Sequence, residues 1–64
     1  MFLKEYLEKN HIIKKGFAKK VDVSEATIHN IISGRKKPSY KTAQRIVKLT
    51  NGEVTFEDLF KERN

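Results

Sequence analysis

No cysteine occurs among the 64 residues of this chain, and at that length the omission decides a great deal. A chain so short buries only roughly 60% of the surface it exposes when unfolded. Small domains usually make up the deficit with disulfides or a thiolate-bound metal. Both are closed to this sequence, and its two histidines have no metal-ligand spacing. What remains is idealised helix packing or a partner chain. One compact core fits; an enclosed substrate pocket with a rigid surround does not. No apolar run approaches the ~20 residues of a membrane helix. The opening Met1-Phe2-Leu3-Lys4-Glu5 is charged at once, unlike a secretory signal. The expectation is a cytoplasmic protein.

The charge is unevenly placed. Lysine and arginine number 14 against 8 acids, a net +6. Residues 1–13 are neutral, with Lys4 and Lys9 against Glu5 and Glu8. Residues 14–48 hold ten basic residues against Asp22 and Glu25, a net +8, and residues 49–64 are net −2. A pI near 9.8 with clustered charge points to a polyanion, most often nucleic acid. The plainer alternative is a solvated basic surface.

One proline and three glycines leave few places to break the chain, and with nearby Asn and Ser they mark five segments. Leu3, Tyr6, Leu7 and Asn10 recur at helical spacing with charges opposite. Asn10-His11 ends this helix, and Ile12-Ile13 reads as a buried connection. Phe17, Ala18 and Val21 share one face of a short second helix. Ser24 is placed to cap a third, with Ile28, Ile31 and Ile32 inward and Gly34 as its left-handed end. Arg35-Lys36-Lys37-Pro38 is a basic turn, since Pro38 disfavours helix at Lys37. Ser39 caps a fourth helix with the stripe Tyr40, Ala43, Ile46 and Val47, which Asn51-Gly52 ends. Thr55 and Asp58 have capping-box spacing, and a last short helix carries Phe56, Leu59 and Phe60.

The second and third helices, joined by a tight turn inside the basic region, have the form of a helix-turn-helix over about residues 14–34. Ala18 is small where a crossing helix needs room, Asp22 tolerates positive φ, and Val23 follows as an apolar anchor. The outward face of the third helix then carries Ser24, Glu25, Ala26, Thr27, His29, Asn30 and Ser33. These are short polar residues able to reach base edges, where a merely solvated helix more typically carries Lys and Glu.

The pattern Phe17-Ala18-x-x-x-Asp22-Val23-Ser24-x-x-Thr27-Ile28-x-x-Ile31-x-x-Gly34-x-x-x-Pro38 resembles the Cro/phage-repressor (Xre-type) helix-turn-helix domain. The later Ile46-Val47-x-x-Thr50-x-Gly52-x-Val54-Thr55-x-x-Asp58-Leu59 is similar to the Cro-like YdaS subgroup of phage proteins. Together they cover roughly residues 12–60. There are departures. Asp22 stands for the usual turn glycine, Ile13 for the Ser or Thr that often caps the second helix, and Glu25 near a frequent Gln.

The resemblance implies an all-α, five-helix, lambda-repressor-like bundle that binds double-stranded DNA without catalysis or cofactor. It implies the third helix in the major groove, with Glu25, Ala26 and Asn30 facing bases and Thr27 and Ser33 toward base edge or phosphate. His29 lies on the same face. Lys14 and Lys15 would grip phosphate, as would Ser24, the loop Arg35, Lys36 and Lys37, and Ser39, Tyr40 and Lys41 at the start of the fourth helix. Asn30 is the best candidate for reading adenine. The implied activity is transcriptional regulation, by repression through operator occlusion, in a bacterial or phage setting.

Some residues keep two readings. Glu25 is either a base contact or an acid favourable to the helix dipole, and Asn30 and His29 are either base contacts or solvated surface residues of the third helix. Phe56 and Phe60 close the core or meet a partner, and Tyr6 and Tyr40 edge the core. A weak homodimer on an inverted-repeat operator is expected through Val54, Phe56 and Phe60. The alternative function is an antitoxin that binds a toxin partner and regulates its own operon. No Gly-rich phosphate loop, nucleophile elbow or convergent acid pair points to an enzyme. The basic residues do not line one amphipathic helix, as a membrane-surface role requires.

Overall fold

The computed structural model describes residues 1–61. Its helices are α1 (Leu3–Lys9), α2 (Lys14–Lys20), α3 (Glu25–Ile32), α4 (Tyr40–Leu49) and α5 (Phe56–Phe60), with no strand among the described residues. The architecture is the all-α, five-helix one expected.

One local device ends four of the five helices. After α2, the Asp22 amide donates to the Lys19 carbonyl (3.2 Å) and the Val23 amide to the Ala18 carbonyl (3.0 Å). The same pair of bonds recurs after α1 from His11 and Ile12, after α3 from Gly34 and Arg35, and after α4 from Asn51 and Gly52. These paired bonds are Schellman motifs, whose first residue must sit in the left-handed region. His11 (φ 55°), Asp22 (61°), Gly34 (81°) and Asn51 (55°) do so. Asp and Asn tolerate that region better than most side chains, so the chain turns sharply four times with one glycine at those positions.

The helix starts are as specific. Ser24 Oγ accepts from the Thr27 amide (3.1 Å), Ser39 Oγ from the Thr42 amide (3.2 Å) and Thr55 Oγ1 from the Asp58 amide (3.1 Å). At α2 the N-cap is Ile13, which makes no side-chain cap. Ile13 is also 71% exposed, which corrects its reading as a buried connection: the chain enters α2 there with the side chain outward. Replacing it by Thr therefore forfeits little packing and adds a cap. Ile13→Thr is expected to stabilise the fold by roughly 0.5–1 kcal/mol, a rise of about 2–8 °C in Tm by calorimetry.

All five helices, with Val21 and Val54 beside them, contribute to one core. Leu3, Leu7, Phe17, Ala18, Ile28, Ile31, Ile32, Ala43, Ile46 and Leu59 are buried within it, and Tyr6, Ile12, Val23, Val47, Phe56 and Phe60 pack against it partly covered. Val54 has no exposed surface, so it holds the α4–α5 connection in the core and offers nothing to a second chain. Thr50 explains its position. This residue, 1% exposed, donates its hydroxyl to the Ile46 carbonyl (2.9 Å) and accepts from the Val54 amide (3.2 Å).

Asp58 closes the far side. Its Oδ2 accepts from the Met1 ammonium (2.8 Å) and from the Thr55 amide (3.1 Å). Burial pushes the carboxyl up, but the ammonium and Thr55 outweigh it, so the group titrates below its ordinary 3.8. A carboxyl lowered by folding adds stability above its unfolded pKa, lost as pH falls through the folded one. Asp58→Asn should therefore melt below the native chain at about pH 7, with a smaller gap at a pH below the ordinary 3.8. Melting curves at the two pH values check this.

Candidate nucleic-acid interface

Among the helix pairs, α2 and α3 share the most extensive contact. Ala18, 2% exposed, supplies the small side chain that two crossing helices need. The Asp22 turn between them is braced from α4, where Arg45 Nη1 reaches the Val21 carbonyl (3.5 Å) and Asp22 Oδ2 (3.8 Å). No sequence signal announces this brace, because Arg45 belongs to no motif and lies 23 residues from Asp22. The ion pair itself is worth little, since the Asp22 side chain is 89% exposed.

With Ile28, Ile31 and Ile32 turned inward, α3 presents the remaining residues outward. Glu25, Ala26, His29 and Ser33 are exposed, and Thr27 and Asn30 half-buried. Two of these hydroxyls are already engaged: Thr27 Oγ1 lies 2.9 Å from Ser24 Oγ, and Ser33 Oγ donates to the Asn30 carbonyl (3.2 Å). The Asn30 carbonyl also accepts from the Arg35 and Lys36 amides (3.0 and 3.2 Å). Its side-chain amide makes no hydrogen bond to the described residues, which leaves a donor and an acceptor for a ligand.

That same carbonyl anchors the basic loop. Gly34, at φ 81°, turns the chain out of α3, so Arg35, Lys36 and Lys37 follow the outward face of α3 directly and are all exposed. Buried Pro38 returns the chain to the core, and Ser39 starts α4 with Tyr40 and Lys41 exposed. Tyr40 is not the core-edge residue expected. It is 66% exposed and its ring stacks on Phe56, with centroids 5.5 Å apart and planes at 13°. Ser24 and Ser39 use their hydroxyls as helix caps.

On the other flank stand Lys14 and Lys15. They open α2, whose first turn holds no acid, so two cations face the positive end of a helix. Such a placement costs folding about 0.3–1 kcal/mol per charge. Lys19 and Lys20, in the last turn, have the opposite and favourable placement. Lys14 also reaches α3, with Nζ 3.4 Å from His29 Nδ1. The arrangement is a helix face of short polar residues, framed by cations from α2 and from the 35–37 loop.

No helix among the described residues is long and apolar enough to cross a membrane. No match was found among curated proteins or among solved structures. The family model described as helix-turn-helix matches residues 3–58, a stretch that contains α2, the Asp22 turn, α3, the basic loop and α4. The chain thus belongs to the Cro/repressor-type, Xre-like helix-turn-helix family of DNA-binding transcription regulators.

Proposed function

We propose that the whole chain acts as one sequence-specific duplex-binding domain in the cytoplasm, and that it represses transcription by occupying an operator. The observation that carries this is the framing of α3: its inner face is core, its outer face is short and polar, and exposed cations stand on both flanks. A helix fits the major groove, and flanking phosphates lie where such cations reach. In this reading Glu25, Ala26, Thr27, His29, Asn30 and Ser33 meet base edges. Lys14, Lys15, Arg35, Lys36, Lys37, Tyr40 and Lys41 meet phosphate, with Ser24 and Ser39 contributing chiefly through the helix starts they cap.

One recognition helix reads few base pairs, so the operator is proposed to be an inverted repeat bound by a weak homodimer. Val54 is in the core, which leaves the half-buried Phe56 and Phe60 of α5 as the apolar surface for pairing. The likeness of residues 46–59 to the YdaS subgroup makes a phage setting part of the same proposal.

Selection from a random duplex library tests the reading. The expected product is an inverted repeat with half-sites about one helical turn apart, roughly 34 Å. On the selected site Asn30→Ala should cost roughly 1–3 kcal/mol, and much less on random DNA. Arg35→Ala or Lys36→Ala should weaken all duplexes alike and shallow the salt slope by ~1 each. Equal losses on both sequences for Asn30→Ala would remove it from base reading.

A further inference from the structure

The contact between Lys14 and His29 fixes more than a charge. A lysine ammonium has three donors and no acceptor. With Nζ 3.4 Å from Nδ1, Nδ1 has to be the accepting nitrogen, and the neutral ring then carries its proton on Nε2. Among the described residues no carboxylate pairs with the Lys14 ammonium, so the imidazole is its partner within the chain. His29 is exposed on the outward face of α3, one turn beyond Glu25.

A fixed tautomer gives the outward nitrogen a fixed role, that of a donor. In the major groove guanine offers two neighbouring acceptors, O6 and N7. Adenine sets a donor amino group beside N7, thymine a methyl beside O4, and cytosine offers a donor only. We infer that His29 is a guanine-reading residue and that Lys14, from the preceding helix, is the positioning residue that holds its ring in the donor tautomer. The inference rests on the placement of α3 in the groove. It assigns Lys14 a part in specificity, beyond the uniform phosphate grip of a basic side chain.

Two measurements on the full chain test it. In long-range proton–nitrogen spectra above the histidine titration range, His29 should show Nδ1 almost wholly unprotonated. Exposed His11 should show the usual tautomer mixture, and Lys14→Met should move His29 toward it. A wild-type His29 indistinguishable from His11, or protonated on Nδ1, overturns the assignment. In selection from random duplexes, wild type should prefer guanine at one position of each half-site. His29→Ala should lower that preference about five- to tenfold, Lys14→Met should lower it at the same position, and Lys14→Arg should retain it. Selected sites whose guanine preferences are unchanged in His29→Ala overturn the inference and leave the groove reading standing. A wild-type chain that enriches no sequence overturns both.

Discussion

Raising monovalent salt from about 50 to about 200 mM should weaken duplex binding by roughly 250- to 1,000-fold. The magnitude follows from the phosphates neutralised. In the proposed footprint Lys14 and Lys15 open α2, Arg35, Lys36 and Lys37 follow α3, and Lys41 lies in the first turn of α4, which corresponds to about four to six contacts per domain and a log–log slope near −4 to −5. Lys19 and Lys20 are left out because they sit at the end of α2 where their charge favours the helix. Titrations across that salt range check the slope. A flat response would reduce the net charge to a solvated surface, whatever the fold.

The second large effect is on the fold itself. Phe17→Ala should lower Tm by about 15 °C or more, because truncating a buried Phe costs about 3–5 kcal/mol. Phe17 is 2% exposed and among the largest fully buried side chains, on the helix that sets the angle of α3. A domain of this length has only about 3–10 kcal/mol to lose. Binding linkage offers a check in the opposite direction. Duplex at about 100 times its dissociation constant returns about 2.7 kcal/mol, so the variant should regain helical circular dichroism when operator is added. An unchanged Tm would mean that α2 is not held by the core.

Much of this was legible in the sequence because helix ends are local chemistry. Asp22, Gly34, Ser24, Ser39 and the Thr55–Asp58 pair announce their roles through φ tolerance and hydroxyl caps, and each has them in the structure. The inward isoleucines of α3 follow from the 3.6-residue period. Residues outside a helix have no such period. Periodicity therefore says nothing of Ile13, which is exposed, or of Val54, which is buried. Tyr40 sits at the first position of α4, where the apolar stripe has already left the core for the Phe56 ring. The Lys14–His29 and Arg45–Asp22 contacts link residues 15 and 23 positions apart, a separation at which no sequence pattern speaks.

The placement of α3 against bases, with cations on both flanks, is tested most directly by backbone and side-chain chemical shifts of the labelled chain titrated with a selected duplex. The expected shifts fall on residues 14–15, on 24–37 and on 39–41, with the Asn30 and His29 side chains among the largest, and leave the outer face of α1 unmoved. Perturbations centred on α1, with Asn30 and the 35–37 loop unchanged at saturation, would contradict it.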